Sequence, residues 1–200
     1  MSFGLKDRAD MSLEFNINCV KTKTPKHSSN KILDVYDNIF TYAEMNHLAD
    51  FISNSFFKID GTDRYSIPLE MQTYSPYSEE DVLNMGFYNT NAFKHLSEKY
   101  QLQEMTCVRR RVNLTTPSEK NRPHIDANGL SLLYYANPVW EVAWGGHTLF
   151  MNDLLTDAEY TCLCKPNRLI VFDGTIPHMI LTPSNLCPTY RTSFILQYSR

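Results

Sequence analysis

The sequence has no excess of positive charge: 19 Lys and Arg stand against 22 Asp and Glu, for a net charge of −3. Binding nucleic acid or an anionic membrane through a general field needs a strongly cationic surface, so neither partner is expected, and a small-molecule or peptide/protein substrate is expected instead. No apolar run approaches the roughly 20 residues that span a bilayer, and no basic start leads into an apolar stretch with a cleavage site, so neither membrane insertion nor export is expected. A disulfide framework is also missing. The five cysteines, Cys19, Cys107, Cys162, Cys164 and Cys187, are odd in number, whereas disulfide-built secreted domains are normally shorter and pair theirs; a reducing, cytoplasmic compartment is the simpler expectation. Cys162 and Cys164 lie one residue apart, which is not the spacing of a zinc hook, and no second such pair exists. Internal repeats and low-complexity tracts are absent.

What is present suits one globular domain. Of the 200 residues 42% are hydrophobic, 12% aromatic and 20% charged, enough apolar material for a core and too little charge bias for wholesale disorder. Residues 1–30 read as a tail, apart from an alternation of Phe15, Ile17 and Cys19 that could form one strand. From Thr41 the apolar residues Met45, Leu48, Ala49, Ile52 and Phe56 recur at helical spacing, and Thr41 with Glu44 forms a capping box, which predicts a helix over 42–56. A second helix is predicted around 90–100, with Phe93, Leu96 and Tyr100 on one face behind the capping candidates Asn89, Thr90 and Asn91. The intervening 61–86 reads as a loop and a candidate lid.

Beyond Met105 the pattern changes to short runs rich in Val, Ile, Leu, Tyr and Phe, divided by prolines and glycines. Helices followed by about seven strands predict an α+β chain whose catalytic half is a jelly roll of two antiparallel sheets. The expected organisation is a single domain over 31–200, with helical support in 31–104 and the jelly-roll core in 105–200.

One constellation in that half carries chemistry. In extended chain His124 and Asp126 of Pro123-His124-Ile125-Asp126 point to the same face. Histidine and carboxylate together suit a first-row metal, and two histidines with one carboxylate on one side of iron(II) leave positions open for chemistry. A third ligand is needed downstream. His178, re-aimed by the turn Asp173-Gly174-Thr175-Ile176-Pro177, is preferred over His147, which follows the glycine pair Gly145-Gly146. In Arg191-Thr192-Ser193-Phe194-Ile195-Leu196 the alternation puts Arg191 and Ser193 on one face; a guanidinium stays charged when buried and grips a carboxylate bidentately.

His124-x-Asp126, His178 and Arg191-x-Ser193, in that order, resemble the iron(II)/2-oxoglutarate-dependent oxygenase superfamily over roughly residues 105–198. Leu133-Tyr134-Tyr135-Ala136-Asn137-Pro138-Val139-Trp140 followed by Gly145-Gly146-His147-Thr148-Leu149-Phe150 is similar to its prolyl hydroxylase branch. Arg191 at the anchor resembles the oxygen-sensing enzymes and their bacterial relatives, because collagen-type enzymes usually carry a lysine there. The resemblance implies a double-stranded β-helix, the jelly roll already expected, and Fe(II) held by His124, Asp126 and His178. It implies 2-oxoglutarate held by Arg191, Ser193 and Tyr135, and O2 as oxidant, the cosubstrate leaving as succinate and CO2 while a C–H bond is hydroxylated. Asp126 favours hydroxylation over halogenation, since the related halogenases have a small residue at that position.

Around this centre, Arg110, Asn113, Trp140 and Trp144 are candidates for the substrate pocket, with core packing the competing role for both tryptophans and surface solvation for the arginine run Arg109-Arg110-Arg111. A prolyl residue in a peptide or protein is the expected substrate. The alternatives are a free amino acid or other small metabolite, or a catalytically silent metal-binding jelly roll acting as a sensor or binding module. His147 departs from the resemblance, since many relatives carry an acidic residue after the glycine pair.

Overall fold

The computed structural model describes residues 21–60, 72–119, 121–126 and 128–200, without the side chains of residues 60 and 72. Strand β1 (Leu33–Asp37) is followed by helix α1 (Tyr42–Ser53), strands β2 (Lys58–Asp60) and β3 (Gln72–Pro76), and helices α2 (Glu79–Asn84) and α3 (Asn91–Tyr100). Seven strands then follow: β4 (Thr106–Thr115), β5 (Gly129–Tyr135), β6 (Thr148–Met151), β7 (Ala158–Cys162), β8 (Arg168–Asp173), β9 (His178–Ile180) and β10 (Arg191–Ser199). The ten described strands form two antiparallel sheets, a seven-stranded one in the order β1-β8-β5-β10-β4-β3-β2 and a three-stranded one in the order β7-β6-β9. This is the expected jelly roll, with helices backing the larger sheet.

Strand alternation divides the apolar residues into two cores. Leu130, Leu132 and Tyr134 of β5, Phe194 and Leu196 of β10 and Leu169 and Val171 of β8 face the helices, where they meet Met45, Leu48 and Ile52 of α1 and Leu96 of α3. Their neighbours Leu133, Tyr135, Ile170, Phe172 and Ile195 face inward, toward Phe150 of the small sheet. Each of the three central strands is therefore apolar on both faces, which is why β5 is buried along its whole length. Polar residues that interrupt the inward row mark where the interior is used for something other than packing.

The capping box predicted for α1 is present, with the Glu44 amide donating to Thr41 Oγ1 (3.1 Å) and the Thr41 amide to the Glu44 carboxylate (2.8 Å). The helix stops at Ser53, short of the predicted 56, and Phe56 is exposed instead of completing the apolar face. Helix α3 starts as expected, the Thr90 hydroxyl accepting from the Phe93 amide at 3.1 Å. The expected loop over 61–86 is corrected where it is described: it holds β3, which pairs with β4, and α2, whose Ser78 and Asp81 form a second capping box. Residues 61–71 of that candidate lid, and the Phe15, Ile17, Cys19 alternation, lie outside the described residues. The expected tail does not extend over 21–30. Lys23 pairs with Val35, and the buried His27 ring hydrogen-bonds to the Met151 carbonyl at 3.0 Å.

Candidate metal centre

His124 pairs antiparallel with His178, each amide donating to the other's carbonyl (3.0 and 2.9 Å), so the first motif extends the small sheet beside β9. The Asp126 amide donates to the Gly174 carbonyl at 2.7 Å, and the Gly174 amide to the Gly129 carbonyl at 2.9 Å. The turn before His178 thereby holds the motif against the start of β5. Gly129 is required there, because a Cβ would stand 2.0 Å from the Tyr198 carbonyl oxygen.

These backbone ties bring one ligand atom each of His124, Asp126 and His178 within 4.8 Å of one another. His124 Nε2 lies 3.8 Å from Asp126 Oδ1 and His178 Nε2 lies 3.7 Å from Asp126 Oδ2, too far to hydrogen-bond and close enough to share one ion. Carbonyl oxygens only accept, so both imidazoles carry the proton on Nδ1: His124 donates to the Arg122 carbonyl (3.1 Å) and His178 to the Ile176 carbonyl (3.0 Å). Both Nε2 lone pairs are thus left for a metal, and the Ser131 hydroxyl fixes Asp126 by donating to Oδ2 at 2.6 Å. Burial, together with the neighbouring His124, pushes the His178 imidazole below its ordinary pKa and favours the neutral, ligating form. The donor set, its tautomers and its outer hydrogen bonds fit a first-row divalent metal. His147 is not a ligand: its Nδ1 accepts from the Cys164 amide at 3.1 Å.

Arg191 is completely buried. Its Nε donates to the Gly146 carbonyl (2.6 Å), Nη1 to Ser193 Oγ (3.1 Å) and Nη2 to Thr148 Oγ1 (3.3 Å), and the guanidinium lies over the Tyr135 ring, 5.0 Å from its centroid. All those partners are neutral, and among the described residues no carboxylate forms an ion pair with Arg191. Its neighbour Cys164 is held as a thiol, burial pushing its pKa up to about 11. A buried guanidinium without a counter-charge costs several kcal/mol, a cost an incoming carboxylate removes. Gly146, at φ +71°, lets the arginine lie this close, since a Cβ would stand 2.9 Å from the Trp140 ring and 3.0 Å from Arg191 Cδ.

Beside the triad lies a cleft, open to solvent and lined by Arg111, Asn113, Glu119, Asn121 and Gln197 as well as His124, Asp126 and His178. Asn113 is a wall residue as expected. Arg110 is not: it points to the helix side, where Nε donates to the Tyr88 hydroxyl (3.0 Å) and Nη2 to Glu79 (3.4 Å). Residues an odd number apart on a strand face opposite ways, so Arg110 cannot share a face with Asn113 and Arg111 must. Trp140 and Trp144 do not line the cleft. Trp140 donates to the Gly145 carbonyl (3.0 Å) and packs edge-on against Trp144 with centroids 5.5 Å apart, behind the Gly146 that faces Arg191. Tyr135 supports the arginine from beneath, its hydroxyl bonded to Thr148 (2.9 Å) and the Cys162 carbonyl (3.2 Å).

Sequence reasoning missed Ser131, Thr148, Arg111 and Glu119. Ser131 and Arg111 were signalled by parity, as polar residues in register with inward-facing ones. Glu119 carried no such sign, since it comes from the loop after β4. It is half-buried, accepts from the Thr73 amide at 3.3 Å, and burial pushes its carboxyl up to about 7 against the opposing pull of that bond and of Arg191.

No family model and no curated protein matches the sequence. Solved structures do match the fold. A prolyl hydroxylase from Trichoplax adhaerens, in complex with a peptide fragment of the hypoxia inducible factor oxygen degradation domain, is 16% identical, with 83% of this chain and 82% of that chain covered at a TM-score of 0.62. An oxidoreductase of the 2OG-Fe(II) oxygenase family from Burkholderia pseudomallei is 10% identical, with 86% of each chain covered and a TM-score of 0.62. A Pseudomonas putida prolyl-4-hydroxylase is 15% identical, with 86% of this chain and 94% of that chain covered and a TM-score of 0.60. The fold implied by the sequence resemblance is the fold this chain has.

Proposed function

We propose that the chain is an Fe(II)- and 2-oxoglutarate-dependent dioxygenase that hydroxylates a C–H bond, with a prolyl residue in a peptide or protein as substrate. The observation that carries this reading is the pairing, in one jelly roll, of a two-histidine, one-carboxylate triad with the fully buried guanidinium of Arg191, which has no ion-paired carboxylate among the described residues. The prolyl assignment is supported by the likeness of fold to two prolyl hydroxylases.

His124, Asp126 and His178 would hold the iron, which when bound supplies the activation of O2. Overall, R–H, 2-oxoglutarate and O2 give R–OH, succinate and CO2; one oxygen atom enters the product alcohol and the other the succinate carboxylate. Arg191 binds the distal carboxylate of 2-oxoglutarate, with Ser193 and Thr148 fixing the guanidinium and Tyr135 holding it from below. That anchor turns the keto-acid end toward the triad, so the cosubstrate is oriented before it reacts. Ser131 keeps Asp126 in place, and the burial of His178 and Arg191 fixes both from the core side of the cleft.

Succinate formation from 2-oxoglutarate, followed in the presence of prolyl peptides, free amino acids and other small metabolites, tests the reading. Stimulation by a prolyl peptide, lost in His124→Ala, is the expected result. Stimulation only by a compound without an amino-acid unit would sink the prolyl assignment, and no succinate under any condition would leave a silent binding module.

A further inference from the structure

The guanidinium of Arg111, in the wall of the cleft, has no hydrogen-bond or ion-pair partner among the described residues. Arg111 faces inward from β4, in register with Ile195 of β10, which is in turn in register with Leu133 of β5. One step along the sheet toward the metal is the row of Gln197 and Ser131, where Ser131 holds Asp126; one step the other way is the row of Asn113, Ser193 and Tyr135, beside the anchor. Arg111 therefore stands at the flank of the line between triad and Arg191, in the wall of the same cleft.

Its guanidinium lies over the Tyr74 ring at 5.5 Å from the centroid, and among the described residues it donates no hydrogen bond and meets no carboxylate in an ion pair. Its Nε is buried and unpartnered, and so is the Nδ2 of Asn121 in the same wall. Asn113 and Gln197, 8% and 5% exposed, also line the cleft, and neither side chain has a hydrogen-bond partner among the described residues. Burial and the repulsion of Arg109 pull the Arg111 pKa down to about 10, with Asp126 opposing, so the fold bears a cost for this charge. Unsatisfied buried donors are rare because each costs about 1–3 kcal/mol, and two of them in one cleft wall, on Arg111 and Asn121, mark a ligand surface.

We infer that Arg111 is a specificity-determining residue that binds a carboxylate of the substrate beside the C–H bond to be oxidised, with the side-chain amides of Asn113 and Gln197 bonding the polar groups next to it. A carboxylate is the ligand that a planar guanidinium takes bidentately, and Arg191 is already assigned to the cosubstrate. The carboxylate belongs either to the α-carboxyl of a free amino acid or to an acidic side chain flanking the target residue in a peptide. This inference rests on the oxygenase reading.

The test measures 2-oxoglutarate-dependent succinate formation with matched probes that differ only in charge. One arm uses the free L-amino acids, proline included, against their α-carboxamides; the other uses N-acetylated, C-amidated Pro-Asp against Pro-Asn. In one arm the carboxylate member is expected to stimulate turnover at least tenfold more than its carboxamide. That ratio should collapse toward one in Arg111→Gln and be partly restored in Arg111→Lys. The arm that responds identifies the source of the carboxylate. Carboxylate and carboxamide members acting alike in both arms, or a preference that survives Arg111→Gln, would overturn the assignment. Succinate formation by the unmutated protein, with or without a probe, reports the oxygenase reading separately: its absence under every condition defeats that reading, whereas its presence without a carboxylate preference defeats only the role of Arg111.

Discussion

Asp126 has one hydroxyl holding its Oδ2, and the consequence for the metal can be measured. Ser131→Ala removes that donor without touching a ligand, and such outer partners are typically worth 10–100-fold in metal affinity; a loss of about 10-fold or more in Fe(II) affinity, with the fold intact, is expected from metal titration. Arg191→Lys keeps the charge but loses the planar fork and the stacking on Tyr135, so the KM for 2-oxoglutarate should rise by about 10-fold, a loss of roughly 1.4 kcal/mol. An unchanged KM would move the anchor elsewhere. The pairs His124 with Asp126 and Arg191 with Ser193 were legible because period-two alternation sorts side chains onto faces by parity alone, and His178 through the turn that precedes it and the family resemblance. Arg111 was legible by the same parity and was overlooked among three consecutive arginines. Thr148 and Gly146 were not legible as partners of Arg191, because that contact joins the two sheets across more than 40 residues of chain.

Elements hold one another through few buried polar ties, and two of them carry predictions. Arg168 on β8 grips Asp37 at the end of β1 bidentately, at 2.6 and 3.0 Å, with Lys165 adding a third contact at 3.2 Å. Burial opposes ionisation of Asp37, but the Arg168 bonds outweigh it and hold the carboxyl below its ordinary pKa. A depressed carboxylate contributes stability that is present above the unfolded pKa and lost as pH falls through the folded one. Asp37→Asn leaves Arg168 buried and unpaired, so a loss of about 3 kcal/mol is expected in urea unfolding at pH 7, shrinking toward zero at low pH. Glu119 behaves in the opposite sense. Its pKa is about 7 in the fold against 4.5 for an unperturbed glutamate, so between those values the native state binds more protons and stability falls as pH rises. Thermal melts at pH 5 and pH 8 should show this decline reduced in Glu119→Gln; an identical decline in both proteins would contradict the assignment. Among the elements themselves, α1 and α3 announced themselves through caps and periodicity, whereas α2 and β3 did not. Helix α2 is only six residues long, and β3 is defined by its pairing to β4, a tertiary fact that a loop-like composition conceals.

For the whole molecule, the jelly roll does two things at once: it closes the core, and it places the short β9 and the start of β5 so that the His124/Asp126 pair meets His178 from a distant part of the chain. Strand count and helix order in the sequence were sufficient to recognise this architecture, because runs of strands after helices have few compact solutions. The division of the apolar residues between two cores was not legible, since strands buried on both faces lose the alternation that would assign them. The central claim is the proposal that His124, Asp126 and His178 hold iron and that Arg191 anchors the 2-oxoglutarate bound to it. Its most direct test is an anaerobic titration of the protein with Fe(II) and then 2-oxoglutarate, read by visible absorption. A weak charge-transfer band that appears only when both are present, is abolished in His124→Ala, and needs about 10-fold more 2-oxoglutarate in Arg191→Lys is the result the account predicts. No band in the unmutated protein, or one that persists unchanged in His124→Ala, would contradict it.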